Sequence, residues 1–404
     1  MSFEVRPCGD LAEFGNAFMA IAQYFGKEPD PVKAERFERL LPLDRMHAAW
    51  DGGEIVGGAG AFPFQLSVPG GSVPCGGTTV VGVAPTHRRR GVLRVMMRAH
   101  LDDIHERGEP IAALWASEET IYGRFGYGTA AFAGEVSIPK EYVQFVAPRE
   151  RRGTMRLVEK GEALEAFPPL WEALARERPG MFTRSREWWE LRTLDDPLDR
   201  RDGAGPKRYA LLELDGAPAA YAIYRHQMDW EAGVSKGKVV VVEAIGVAPD
   251  AVAQLWRFLL DIDWVASIEA WLLPPDHPLF FILANARRMR YRSGDGIWVR
   301  LVDVGAALSS RKYPEDGELV FEVRDAFCPW NEGRWRLAGG KAERTDADAD
   351  LALDVAALGS AYLGGIRFAQ LEQGGNIEEL KPGAIERADG IFRHSLHPWC
   401  PEIF

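Results

Sequence analysis

Three consecutive arginines and a glycine, Arg88, Arg89, Arg90 and Gly91, stand between a run that reads as a strand and an apolar stripe that reads as a helix from Val92. The start of a helix presents N–H groups without intrahelical partners and the positive end of the helix dipole, so cations there are unfavourable unless an anion compensates them. The spacing therefore points to a bound phosphate. Gly91 lets a ligand approach the backbone without a Cβ in the way, and the arginines add charge. A solvated basic helix start is the competing reading. The turn has neither the GKS/T of a P-loop nor a GxGxxG, which sets nucleoside triphosphates and nicotinamide cofactors aside. The R-x-x-G-x pattern that remains is that of a loop for an acyl-CoA pyrophosphate.

The elements that must hold this loop occur twice. TVVGVAPTHRRRGVL (Thr79–Leu93) and VEAIGVAPDAVAQL (Val242–Leu255) share Gly-Val-Ala-Pro, at positions 82–85 and 246–249. Each is a β-rich run that stops at proline and leads into an amphipathic helix, with Val92, Val95, Met96, Ala99 and Ile104 striping the first and Leu255, Leu259, Leu260 and Ile262 the second. Hairpins are predicted before each copy, Ile55–Val68 turning through VPGGS and Lys207–Leu214 turning at Asp215–Gly216 into Ala219–Gln227. Short strands, Ile111–Ala116 and Ile268–Leu273, follow the helices, so each copy contains a parallel βαβ crossover. PRERRG (Pro148–Gly153) reads as a linker. From Gly294 the texture changes to alternating strands at Asp295–Val304, Glu318–Asp325, Trp335–Leu337 and Ala349–Leu353, then a helix, DVAALGSAYLGG, ending on Gly364.

Length and composition agree with several folded domains. The chain has 404 residues, 47% apolar and 26% charged, with 59 acidic against 48 basic residues and a formal charge of −11. That balance disfavours nucleic acid and anionic lipid and suits a cationic partner. Cys8, Cys75, Cys328 and Cys400 are far apart, without CxxC spacing, and the eight histidines show no metal-ligand spacing, so no metal is expected. His87 is expected to face solvent. The acidic opening MSFEVRPCGDLAEF is unlike a signal peptide and no run is long enough to span a membrane, so a cytoplasmic protein with no membrane partner is expected.

Val81–Leu93 together with ALWASEETIYGRFGYG (Ala113–Gly128) resembles the GNAT superfamily of N-acetyltransferases and, more narrowly, the enhanced intracellular survival (Eis) family. The likeness extends through the repeat to GDGIWVRLVDVGAALSSRKY and LGSAYLGGIRF, which are similar to that family's sterol-carrier-protein-like domain. It implies an α/β (α+β) chain with tandem GNAT-fold acetyltransferase domains, catalytic at 1–147 and degenerate at 148–293, followed by a sterol-carrier-protein-like α+β domain at 294–404. In the second copy Val252, Ala253, Gln254 and Leu255 replace the three arginines and the glycine, which removes both the charge and the close approach. Leu93 departs from the usual Gly or Ala at the end of the superfamily pattern.

The resemblance implies acetyl-CoA as co-substrate. It places the backbone of Val81, Gly82 and Val83 against the acetyl and pantetheine groups, with Arg88, Arg89, Arg90, Gly91, Val92, Leu93, Ser117, Ile121 and Tyr122 as further cofactor contacts. Tyr122 matches the family's general acid, a phenol whose ordinary pKa keeps it protonated at neutral pH; Tyr127 is the alternative. The carboxylate of the last residue, Phe404, is implied to reach the active site and assist amine deprotonation. Phe25, Glu28 and Glu402 are the substrate-binding candidates; Phe37 and Trp50 also precede the cofactor motif, and Glu118, like Glu402, lies next to a catalytic candidate. An aromatic and acidic pocket suits a polyamine or aminoglycoside. Trp171, Trp188, Trp189 and Trp256 are expected in the core of the second domain. The family further implies a homohexamer. A protein lysine acetyltransferase, a lipid carrier working through the last domain, and a regulatory pseudo-enzyme are the alternatives.

Overall fold

The computed structural model describes residues 3–24 and 31–404. It divides into two compact units, residues 1–131 with 297–395 and 403–404, and residues 132–296 with 396–402.

The first unit opens with β1 (Glu4–Pro7), α1 (Leu11–Tyr24), α2 (Pro31–Glu38) and β2 (Met46–Asp51), followed by the long hairpin of β3 (Glu54–Val68) and β4 (Gly71–Val83). Then come α3 (Val92–Glu106), β5 (Ile111–Trp115), the single turn α4 (Glu119–Tyr122) and β6 (Gly128–Thr129). The sheet runs β1-β2-β3-β4-β5, then the strand Ile297–Leu301, then β6. β4 and β5 are parallel, as a right-handed crossover through α3 requires, and their neighbours are antiparallel. The α3 stripe differs from the sequence reading. Val92, Met96 and Ile104 are buried as expected, but Met97, His100 and Leu101 join them while Val95 is exposed. The buried face is set by packing under both β3 and β5, which is wider than a two-residue-per-turn stripe.

The second sheet repeats this plan. Lys238–Gly246 is parallel to Ser267–Leu273 across the helix Pro249–Asp261, and the hairpin Arg208–Leu214 to Ala217–Gln227 turns at Asp215 and Gly216, both at positive φ. The surprise is where its far edge comes from. β7 (Phe132–Pro139) belongs to this second sheet, paired with Ser267–Leu273 and Arg292–Asp295, whereas Ile297–Leu301 belongs to the first. The sheets thus change ownership at Ala131/Phe132 and at Gly296, not at PRERRG or Gly294. The run expected as one strand, Asp295–Val304, is two strands in different sheets. Trp171, Trp188, Trp189 and Trp256 are all core residues here.

The closing five-stranded sheet lies in the first unit and carries the helix Val355–Tyr362. That helix ends before Gly364 at φ 81°. It presses on β6 and Ile297–Leu301 so closely that a Cβ on Gly128 would overlap the Ala356 carbonyl and one on Gly359 the Val299 carbonyl. All four cysteines are buried thiols. Among the described residues no helix is long and apolar enough to cross a membrane.

Candidate active site

β4 pairs with β5 only through Cys75, Gly76 and Gly77, opposite Ile111–Ala113. Beyond Gly77 the strands part, which leaves the Thr78–Val83 stretch of β4 with no strand on that side. The register against β3 slips between Gly58 and Gly60, and Val80, at φ 46°, is the bulged residue. A β-branched residue in that conformation is strained, and the bulge turns this stretch of β4 toward the gap. Gly82 is required on the other side: a Cβ there would lie 2.9 Å from the Cα of Ile21 in α1. The gap is a cavity of about 770 Å³.

The arginine loop closes one end of it. After a single 3-10 turn at Pro85–His87, Arg89 takes φ 61° and Gly91 φ 92°, and α3 begins at Val92 with no side chain capping its first turn. The amides of Arg94 and Val95 both reach the Gly91 carbonyl. The first N–H groups of α3 and its dipole are therefore directed at the cavity, whose lining includes Arg88, Arg89, Gly91, Val92, Leu93 and Arg94. Arg90 turns the other way, donating to Asp51 at 2.9 Å and lying 5.5 Å from the Phe3 ring centroid. His87 does not simply face solvent. It lines the cavity while its Nε2 lies 3.3 Å from Asp51, and its Nδ1 meets Thr86 Oγ1 at 2.8 Å.

At the opposite wall stand Ser117, Ile121 and Tyr122. Tyr122 ends α4; a turn through Gly123–Phe125 and Gly126, at φ 82°, then returns the chain to Tyr127 and β6. The two tyrosine rings meet edge-on with centroids 6.0 Å apart. The two residues are placed differently. Tyr122 lines the cavity, while Tyr127 is fully buried with its hydroxyl 2.9 Å from Thr78 Oγ1, which also meets His100 Nε2 at 2.9 Å. Burial pushes the Tyr127 pKa far up. Ile403 and Phe404 also line the cavity, and Phe404 is 7% exposed. One space thus holds an uncapped helix start, four arginines, a free strand edge, a phenol and Phe404.

Residues 5–130 match the family model described as an acetyltransferase (GNAT) domain, residues 180–301 a second acetyltransferase (GNAT) domain model, and residues 304–401 a sterol carrier protein domain. The chain is 34% identical over 393 residues to the N-acetyltransferase Eis of Mycobacterium tuberculosis, covering 93% of each. This chain belongs to the Eis family of N-acetyltransferases. An uncharacterized N-acetyltransferase of Streptomyces avermitilis is 45% identical over 92% of both chains. The crystal structure of Eis1 from Mycobacterium abscessus superposes with a TM-score of 0.87 at 33% identity, covering 99% of this chain and all of that one.

Not every residue singled out from the sequence of this Eis-family chain reaches the cavity. Val81, Gly82, Val83, Arg88, Arg89, Gly91, Val92, Leu93, Ser117, Ile121, Tyr122 and Phe404 line it together. Arg90 does not, for the reason given. Glu402 belongs to the second unit, where Arg184 lies at 2.7 Å, Arg192 at 3.4 Å, and the Trp188 indole donates to it at 3.0 Å. Its charge is matched there, and it does not line the cavity. Phe25 and Glu28 lie outside the described residues. Phe37 packs between Phe18 and Phe62, Trp50 carries the Arg6 guanidinium, and Glu118 is exposed at the start of α4. Sequence reasoning missed Thr78, Thr79, Trp115, Arg94 and Arg124 on the cavity wall. The alternation of β4 and the first turn of α3 carried a signal for Thr79 and Arg94. Nothing in the sequence marks where β4 and β5 part.

In the second unit the matching place is built differently. Pro249 starts the helix directly, without a glycine loop, and Val252 crowds Gly246 at 2.8 Å from a Cβ position there. Glu243, on the strand corresponding to β4, pairs with the buried Arg184 and accepts from Tyr221 at 2.6 Å.

Proposed function

We propose that this Eis-family enzyme moves an acetyl group from acetyl-CoA to a primary amine of a small cationic acceptor, using the cavity of its first unit. The observation that carries the reading is the convergence of the Arg88–Leu93 loop, Tyr122 and Phe404 on one 770 Å³ space. The helix start with Arg88 and Arg89 suits the pyrophosphate, and the Val81–Val83 edge offers N–H groups to the thioester carbonyl as its oxygen gains charge. Arg90, held on Asp51, is left out of the cofactor set.

In this scheme the amine nitrogen attacks the carbonyl carbon, the new N–C bond forms and the C–S bond breaks. Tyr122 gives its phenolic proton to the departing thiolate. The Phe404 carboxylate holds the ammonium and takes the proton the amine sheds, directly or through water. Tyr127 is unsuited to the acid role because its hydroxyl is buried on Thr78. A carboxylate on Phe404, a residue that lines the cavity, and a formal charge of −11 favour a cationic acceptor.

The test is thiol release from acetyl-CoA with an aminoglycoside, spermidine and a lysine peptide as separate acceptors, for the wild type, Tyr122→Phe and a chain lacking Phe404. Turnover that needs an amine and drops at least about tenfold in both variants supports the scheme and ranks the acceptors. Preference for the peptide would transfer the reading to protein lysine. Failure to bind acetyl-CoA would overturn it.

A further inference from the structure

The turn that carries Tyr122 rests on a charge that is nowhere in contact with solvent. Arg300 is 0% exposed, and its Nη2 donates to Asp325 Oδ2 at 2.6 Å, with both side chains buried. Asp325 is otherwise well partnered: its Oδ1 accepts from the Cys328 amide at 2.9 Å and its Oδ2 from Asn331 Nδ2 at 3.0 Å. Arg300 is not. Its Nε and Nη1 are buried without a hydrogen-bond acceptor. Such an arrangement is a poor way to stabilise a core, because the desolvation of both ions is recovered only when every donor is matched.

What the free end of Arg300 touches explains its place. The guanidinium fills the volume beneath Gly126, so that any Cβ there would overlap Nη1. Gly126, at φ 82°, is the hinge of the turn between Tyr122 and Tyr127, and the Tyr127 amide closes that turn on the Tyr122 carbonyl at 3.4 Å. Arg300 itself is fixed on the strand that pairs with β5 at Ala112 on one edge and leads to β6 on the other. Asp325 follows the first long strand of the closing sheet.

Resting on the role proposed for Tyr122, we infer that Arg300 and Asp325 are positioning residues for acetyl transfer. The sterol-carrier-like region supplies, through Asp325, the anchor that holds the Arg300 guanidinium against Gly126 and thereby sets the Tyr122 hydroxyl at the thiolate. Neither residue lines the cavity.

The experiment is a double-mutant cycle on the full chain between Arg300→Met/Asp325→Asn, which removes both charges together, and Tyr122→Phe. It reads kcat, the equilibrium binding of acetyl-CoA without acceptor, and thermal unfolding. Positioning requires that the charge-free variant binds acetyl-CoA within about threefold of wild type but loses tenfold or more in kcat. Tyr122→Phe must then cost several-fold less in that background than in wild type. Equal cost in both backgrounds, or wild-type kcat without the pair, overturns the inference. If Tyr122→Phe has no effect in the wild type, the role of Tyr122 fails first, which is a distinguishable result. Should the charge-free variant not fold, Arg300→Lys carries the same cycle, since it keeps a cation for Asp325 while withdrawing the planar fork from Gly126.

Discussion

The ring of Phe404 meets the ring of Phe64 edge-on, with centroids 5.0 Å apart and planes at 80°. Phe64 lies in the long strand β3 and stacks in turn on Phe62, while Gly77 of β4 leaves it room: a Cβ at Gly77 would overlap its ring. Phe404 is thus seated against the hairpin whose second strand lines the cavity. An edge-to-face aromatic pair contributes about 0.5–1.5 kcal/mol beyond its buried area. Phe64→Leu is expected to lower kcat by roughly 2–10-fold through a less firmly seated terminus, at a stability cost under about 1.5 kcal/mol. Steady-state kinetics and thermal melts would check this. Unchanged kcat in Phe64→Leu, beside a large loss on deleting Phe404, would mean that other contacts seat the tail.

The three arginines of the loop are expected to separate by direction. Arg88 and Arg89 line the cavity, whereas Arg90 is spent on Asp51. Charge-assisted bonds to a phosphate are worth about 1.5–3 kcal/mol, reduced where solvent screens them. Arg88→Gln and Arg89→Gln should each raise the KM for acetyl-CoA about tenfold, with the difference shrinking as salt is added, and Arg90→Gln should leave it within about twofold. Measuring the three at low and high ionic strength decides the matter. A large effect from Arg90→Gln would show that it leaves Asp51 when the co-substrate binds.

What could be read from the sequence was what local periodicity and turn chemistry specify. The Gly-Val-Ala-Pro repeat, both parallel crossovers, the Asp215–Gly216 hairpin and the helix stop at Gly364 each rest on residues adjacent in the chain, and the structure has them. The exchange of strands between the two sheets could not be read. β7 and Ile297–Leu301 each sit between two neighbouring strands, and which sheet receives them depends on tertiary packing rather than on either strand's own residues. The site divides in the same way. Gly91 and the loop arginines announce a helix start that wants an anion, yet the side-chain direction of Arg90 is set by Asp51, 39 positions earlier. Glu402 looked like a pocket acid because its ion pairs with Arg184 and Arg192 come from far upstream.

Arg184 gives the second unit its own test. Its side chain is fully buried, its guanidinium lies 3.3 Å from the Trp171 ring centroid and 4.7 Å from that of Trp189, and it makes two bonds to Glu243. Removing Arg184 leaves Glu243 a buried carboxylate without its cation, whereas removing Glu243 leaves Arg184 still paired with Glu402 at 2.7 Å. Arg184→Met is expected to cost about 3–5 kcal/mol of unfolding free energy. Arg184→Met/Glu243→Leu, which removes both charges at similar volume, should cost much less than Arg184→Met alone. Urea unfolding monitored by tryptophan fluorescence would resolve the difference. Equal losses in the single and double variants would mean that packing around the tryptophans, not charge, dominates.

Acid sensitivity is expected to come in part from His100. The ring is fully buried with Nε2 on Thr78, and burial, aided by His47 and Arg45, pushes its pKa down to about 3. An unfolded histidine titrates near 6.5, so between pH 6.5 and about 3 the unfolded chain binds a proton that the folded chain refuses. The contribution is complete above pH 6.5 and is lost as pH falls, at up to about 1.4 kcal/mol per pH unit. His277 of the second unit, lowered to about 3 by burial and then Arg178, adds the same sign there. His100→Gln keeps a nitrogen near Thr78 but cannot titrate. It should be less stable than wild type at pH 7.5, and its stability should fall less steeply between pH 6.5 and 4.5. Urea unfolding of both proteins across that range gives the comparison, and parallel curves would show that His100 takes up its proton in the folded state as readily as in the unfolded one.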